Sequence, residues 1–295
     1  MSYFTQYRQV ASLRAKGLRS SFRHMALSGL QFKERLLGGQ KALATPRVQM
    51  LFIHHIFEDE ATPFDRLVRE LAKTHIFVSY SEAVRRIHAG ENTEPCISFS
   101  SDDGFKNNLL AAEILERYGA KACFFVNPNS IGLFHFNEVE SFCRTRLEFP
   151  PTEFLDWHDV SALQARGHEI GAHTMDHTNV ANMPIEAFRE DLDRSRHILL
   201  KRCGAAHHFA FPYGRFFHFS AAAMAAVFEA GFLSCASAER GCHTCEAPIA
   251  KNQLLLRRDQ IVAAWPFAHN MYFIRRQTRL RKHAETEWPA CMGKA

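Results

Sequence analysis

Residues 96–104 read CISFSSDDG, a short apolar run that ends in two adjacent carboxylates and a glycine. Such a run is the signature of a buried strand. Neighbouring side chains on a strand point to opposite faces, but the turn that Gly104 permits lets Asp102 and Asp103 meet at one point. The stretch therefore predicts a strand whose end delivers chemistry.

Working outward, the same rhythm repeats on both sides. VQMLFIHHI (48–56) and IFVSY (76–80) read as strands, separated by PFDRLVRELAKT (63–74), which carries Phe64, Leu67, Val68 and Leu71 at helical spacing. SEAVRRIHAG (81–90) predicts a helix opened by a serine cap and stopped at Gly90. Downstream, NNLLAAEILERYG, DWHDVSALQARG, PIEAFREDLDRSRHILLKRCG and SAAAMAAVFEAG read as helices. They alternate with the strands KACFFVN (121–127), HEIGAH (168–173), HHFAFP (207–212) and FLSCAS (232–237). Strand–helix alternation with buried strands implies parallel pairing, and about seven such units predict an α/β fold, a distorted (β/α) barrel. Residues 128–155, rich in Pro and Phe, read as a long loop over one end.

Three divisions follow: a basic helical N-terminal extension at 1–47, the barrel at 48–270, and a basic C-terminal tail at 271–295. Residues 1–50 carry nine Lys/Arg against one acid and residues 251–295 nine against three, while the middle carries 18 against 27. Basic ends can meet anionic lipid headgroups, and an acidic body argues against a nucleic-acid-binding core. With 295 residues, 46% of them hydrophobic and 23% charged, the composition is that of a folded soluble protein. No run approaches the roughly 20 apolar residues of a membrane span. The N-terminus lacks the apolar core of a secretory signal. These features set the expectation of a cytoplasmic location, with peripheral contact to an anionic membrane through the basic termini. Eight cysteines are too sparse for a disulfide framework. Cys242 and Cys245 could bind zinc, but no second Cys/His pair at finger spacing follows them, and a structural role is the expectation.

Polar residues at strand ends are what a parallel barrel presents on its catalytic face. Besides Asp102 and Asp103, His173 and His177 follow a predicted strand, four apart, the spacing at which two imidazoles on a helical turn grip one metal. Phe211-Pro212-Tyr213-Gly214 is a tight turn at another strand end, able to aim a backbone N–H at an oxyanion.

In this order and spacing, SDDG, HTMDH and FPYG resemble the three motifs of the polysaccharide deacetylase family (carbohydrate esterase family four, the NodB-homology domain), over about residues 48–260. The resemblance implies a metal-dependent hydrolase that removes the N-acetyl group of an amino sugar in a glycan or glycan precursor. It implies a divalent metal, zinc by ligand type, on Asp103, His173 and His177, with Asp102 as the catalytic base and the Tyr213 N–H in the oxyanion hole. Some relatives carry the acid histidine on an N-terminal strand, which MLFIHHIFEDE resembles. His54 is then the candidate acid, with His55 on the opposite strand face. Ser100-Ser101 departs from the family's Thr-Phe, and Ala210 stands where the arginine that orients the base is often found. Arg257 or Arg258 could substitute from another strand. The substrate is expected to be a nucleotide-linked, lipid-linked or oligosaccharide N-acetylated sugar, with no nucleic acid partner. Competing readings are a non-haem iron oxygenase built on the Asp/His/His set and a non-catalytic glycan or membrane-surface protein on a decayed barrel.

Overall fold

The computed structural model describes residues 2–13, 25–30, 43–245 and 247–280. Their strands are β1 (Arg47–Ile53), β2 (Ile76–Phe77), β3 (Pro95–Ser101), β4 (Ala122–Val126), β5 (Glu169–Ala172), β6 (His208–Ala210), β7 (Ser234–Ala236), β8 (Leu255–Leu256) and β9 (Asp259–Gln260). All pair in parallel in the order β8-β7-β6-β5-β4-β3-β1-β9, with β2 also beside β3. β8 and β9 are separated only by Arg257 and Arg258, yet β8 pairs with β7 and β9 pairs with β1. The stretch 255–260 therefore joins the two edges and curls the sheet into the distorted barrel that the alternation predicts.

Strand parity divides the apolar residues into two layers. Leu51, Ile53, Ile97 and Phe99 join the large core beneath the helices. Val48, Met50, Cys96, Cys123, Phe125 and Leu256 form a smaller cluster within the curl. There the chain needs Gly171, because a Cβ at that position would lie 2.4 Å from the Phe125 ring.

The predicted helices form with local corrections. Helix Ala61–Ala72 buries Phe64, Leu67, Val68 and Leu71, as their spacing requires. Helix Tyr80–Ala89 is capped by Ser79, which accepts from the Glu82 N–H, rather than by Ser81. Ser81 instead bonds Glu169 across the base of β5. Helix Trp157–Ala165 opens with reciprocal bonds between Asp156 and Asp159.

The segment expected to be a bare loop, 128–155, contains helix Phe136–Arg146. Its buried residues are only Val139 and Cys143, one i,i+4 pair on a polar helix, so its periodicity is weak. Within the N-terminal extension, helix Tyr7–Leu13 is anchored by Asp59, which accepts from the Tyr7 and Arg8 N–H groups at 2.7 and 3.0 Å. The Phe4 N–H bonds the Pro151 carbonyl at 3.0 Å. Residues 2–13 thus lie on the 136–151 insertion. At the other end, helix Phe267–Leu280 runs across the 270/271 boundary and buries Met271, Tyr272 and Ile274. The remainder of the expected tail, and residues 14–24 and 31–42 of the extension, lie outside the described residues. No described helix is long and apolar enough to cross a membrane.

Candidate active site

β3 delivers the two carboxylates as its sequence predicts. The Asp102 N–H bonds the Ile53 carbonyl at 3.0 Å, which extends the β1 pairing and keeps Asp102 on the inner face with Ser100. Asp103 and Gly104 then take left-handed φ values of 73° and 71°, turning the second carboxylate toward the same end of the barrel.

His173 and His177 converge, but not on a helical turn. After β5 the chain makes an irregular turn with Thr174 at φ 59° and His177 at φ 55°. The turn is fixed from outside: the Asn127 amide donates to the His173 and Thr174 carbonyls, and the Asp191 carboxylate accepts from the Met175 N–H at 3.1 Å. Inside it, the Thr178 N–H bonds Thr174 Oγ1 at 3.1 Å. The two rings lie 5.1 Å apart.

Each imidazole donates its Nδ1–H to a backbone carbonyl, His173 to Ala210 at 2.7 Å and His177 to Arg146 at 3.0 Å. A carbonyl only accepts, so both tautomers are set and both Nε2 atoms carry lone pairs. These lie 3.6 and 3.5 Å from Asp103 Oδ1, a buried oxygen with no hydrogen-bond partner among the described residues. Three acceptors that face one point suit a cation. Asp103, His173 and His177 therefore fit a divalent metal by their donor chemistry. In the bare protein, burial pushes the Asp103 carboxyl up to about 6 and pulls His173 down to about 3 and His177 to about 4. The other carboxylate–histidine group with such geometry among the described residues, Asp156, His158 and Asp159, is a largely exposed helix cap. Neither group includes Cys242 or Cys245.

The residue paired with Asp102 is Arg258. Its Nη1 and Nη2 donate to the two Asp102 oxygens at 2.7 and 2.9 Å, its Nε to the Ser237 carbonyl at 2.8 Å, and Nη1 also to Ser100 Oγ at 3.2 Å. The guanidinium lies over the Phe52 ring at 4.5 Å and is fully buried. Arg257 points elsewhere, donating to the Arg240 carbonyl and covering Phe216. Parity explains the choice, since Leu256 is an inner residue and Arg258 is two positions on. Burial raises the Asp102 pKa, but the charge of Arg258, with His173 and the Arg258 hydrogen bonds, outweighs it and holds the carboxyl below its ordinary value. Ser100 is thus a hydrogen-bond partner of the arginine that holds Asp102.

His54 continues the inner face of Met50 and Phe52, with its ring 5.3 Å from Phe52. The Gln260 side-chain amide of β9 lies 3.2 Å from its Nδ1. Burial lowers the His54 pKa, opposed by Asp103 and Asp102. His55 turns the other way, donates to the buried Glu60 at 2.9 Å, and stacks on Phe149 of the insertion at 5.4 Å.

Tyr213 sits at φ 63° with its ring 5.1 Å from His177, and no hydrogen bond among the described residues uses its N–H. Asp103, Thr174, His177 and Tyr213 are all non-glycine residues with left-handed φ, so backbone strain concentrates at this site. Sequence reasoning missed Gln260 and Glu60, which lie far from the motifs or outside them. It also missed the Ala210 and Arg146 carbonyls, since a backbone acceptor leaves no mark in composition.

Residues 89–232 match the family described as polysaccharide deacetylase. No curated protein sequence matches the chain. Among solved structures, the Streptococcus pyogenes deacetylase PplD aligns over 77% of this chain and 96% of its own, at 16% identity and a TM-score of 0.58. IcaB from Ammonifex degensii aligns over 77% and 99%, at 16% identity and 0.58. A de-N-acetylase from Aggregatibacter actinomycetemcomitans aligns over 77% and 99%, at 17% identity and 0.60. At these identities the likeness is one of fold.

Proposed function

The chain belongs to the polysaccharide deacetylase family through residues 89–232, which makes it a hydrolase acting on carbon–nitrogen bonds, and on that premise we propose that it is a metal-dependent N-deacetylase of an amino sugar in a glycan or glycan precursor. The observation that carries the reading is the convergence of Asp103 Oδ1 and two histidine Nε2 atoms beside an ionised, arginine-clamped Asp102.

Asp103, His173 and His177 would hold the ion. A divalent cation there supplies carbonyl polarisation and a water acidified toward a pKa of about 7. Asp102 accepts the proton of the attacking water, and Arg258 keeps that carboxylate ionised and oriented by occupying both of its oxygens. The backbone N–H of Tyr213 is free to donate to the oxygen that gains charge on the acyl group. His54 holds the proton passed to the departing amine. Its burial makes the imidazolium a stronger acid than an exposed histidine, which suits donation to nitrogen. The products are acetate and a free amino sugar.

The test is incubation of the zinc-loaded protein with N-acetylated sugar donors and oligosaccharides, followed by mass spectrometry. Loss of one acetyl mass, with acetate released in equal amount, is expected. Unchanged substrates across nucleotide-linked, lipid-linked and oligomeric sugars would overturn the proposal.

A further inference from the structure

β9 has two residues and pairs with β1 at two positions, Leu51 opposite Asp259 and Phe52 opposite Gln260. One further backbone bond runs from the Ile261 N–H to the Phe52 carbonyl at 2.8 Å. On either side of Asp259, Arg258 holds the Asp102 carboxylate and the Gln260 amide lies 3.2 Å from His54 Nδ1. So short a ladder does little to fix its own register. A slip of one residue would turn both Arg258 and Gln260 out of the barrel, because side chains alternate along a strand. A slip of two would carry them about 6.6 Å along it.

Asp259 faces out of the curl, toward helix Phe267–Leu280, and is fully buried. Its Oδ2 accepts from the Gln49 side-chain amide of β1 at 2.7 Å, and its Oδ1 accepts from Arg240 Nη1 at 3.3 Å. Both donors are themselves held. The Gln49 amide also donates to the Ile274 carbonyl at 3.2 Å, and the Gln49 oxygen accepts from Arg47 Nη2 at 2.9 Å. Arg240 lies over the Phe273 ring at 4.2 Å and donates through Nη2 to the Gln260 carbonyl at 3.2 Å. Asp259 is thereby tied to the strand beside it and to the loop after β7.

Such a cluster is a weak source of stability. Burial pushes the Asp259 carboxyl up to about 6, and well-packed apolar side chains often replace buried ion pairs without loss. What the cluster supplies is a single alignment, since a one-residue slip would carry the carboxylate to the opposite face, away from Gln49 and Arg240. We propose that Asp259 is a positioning residue that pins the register of β9, and so places Arg258 on Asp102 and Gln260 against His54. The chemical roles of Asp102 and His54 rest on the deacetylase reading, whereas the register does not.

The test uses Asp259→Asn, which keeps the volume but must turn an NH2 toward one of the two donors. In the zinc-loaded protein it should lower kcat for acetate release from linear N-acetylglucosamine oligomers roughly ten- to hundredfold, the range for a small misplacement of reacting groups, with KM changed less than about twofold. Arg240→Met removes one donor and should lower kcat by a smaller factor, which keeps the measurement available if Asp259→Asn folds poorly. The loss should be roughly threefold or more smaller in an Arg258→Met background, because Asp259 acts through that arginine. Leu115→Ala, a buried change in helix Asn108–Glu116, should lower Tm without moving kcat. A kcat loss of equal size with and without Arg258 would overturn the positioning role.

A spectroscopic signature reads the register without turnover. In nitrogen-15-labelled protein the guanidinium N–H resonances of Arg258, identified by their loss in Arg258→Met, should exchange slowly with solvent. In Asp259→Asn they should exchange roughly tenfold faster, the sign of a locally opened strand. Unchanged exchange would overturn the proposal whether or not acetate is released. Faster exchange in a protein whose parent releases no acetate would overturn the deacetylase reading and leave the register role standing.

Discussion

Arg258 closes the barrel and clamps Asp102: the residue that links β8 to β9 places both terminal nitrogens on the two Asp102 oxygens, at 2.7 and 2.9 Å, inside the curl. Removing one partner of a buried pair leaves the other charge uncompensated, at a cost of about 3–5 kcal/mol. Arg258→Met should therefore lower stability by that order in a denaturant titration. It should also change the pH response. Arg258 holds the Asp102 pKa below its ordinary value, so Asp102 now favours the folded state above its unfolded pKa, and that contribution is lost as pH falls through the folded pKa. Without the arginine, burial raises the carboxyl, and the acid limb of kcat/KM should move to higher pH. A limb that stays in place would show that Asp102 is not the ionisation limiting the rate.

Metal loading should have its own pH edge, set by Asp103 rather than by the histidines. Burial puts Asp103 at about 6, whereas His173 at about 3 and His177 at about 4 stay neutral far below that. A ligand must be deprotonated to bind, so zinc affinity should fall as pH drops through about 6, and the proton released from Asp103 on binding should approach one below pH 6 and fade above pH 7. Calorimetry in buffers of different ionisation enthalpy reads both. An affinity flat between pH 5 and 7 would remove Asp103 from the ligand set.

The carboxylates should separate by substitution. Asp102→Asn should retain zinc by elemental analysis and lose turnover, while Asp103→Asn, His173→Ala and His177→Ala should each lose most of the zinc. Full zinc content in both histidine variants would sink the site.

Much of this was legible because strand parity is a strict code. A period of two places Asp102 with Ser100, and His54 with Met50 and Phe52, on one inner face before any coordinates are known. The same code chooses Arg258 over Arg257 only after β8 is located, and strands of two residues such as β8 and β9 carry too little pattern to find. The histidine pair was legible as a pair but not as a turn, because left-handed φ at Thr174 and His177 is imposed by Asn127 and Asp191 from other elements. Helix Phe136–Arg146 stayed hidden because its sequence is nearly as polar as a loop.

His54→Ala should depress turnover by roughly 10²-fold or more, as loss of a general acid does, and leave zinc content intact. His55 is tied to Glu60, which also accepts the Phe57 and Ala264 N–H groups. His55→Ala should therefore act through the packing of this loop and the insertion, lowering Tm more than it lowers kcat. The reverse pattern would mean that the proton reaches the amine from His55.

The basic N-terminal extension invites a membrane role, and the contacts of residues 2–13 make a competing demand. Of the nine basic residues in 1–47, Arg47 is fully buried, bonded to Gln49, His75 and the Leu43 and Thr45 carbonyls, so it is not available to lipid. Residues 2–13 meanwhile pack on Asp59, Pro151 and Phe136, and Tyr7 lies 5.7 Å from His55. Deleting 1–42, which spares the buried Leu43, should loosen the insertion whose Arg146 carbonyl holds His177, lowering Tm and weakening kcat/KM on a soluble oligosaccharide. If the remaining basic side chains also meet anionic lipid, each contributes on the order of 1 kcal/mol near the surface, and cosedimentation with phosphatidylserine vesicles must fade as salt rises and vanish in the deletion. Absence of vesicle binding by the intact protein at low salt would leave packing against the insertion as the role of the segment. Unchanged Tm and kcat/KM in the deletion would dismiss that role instead.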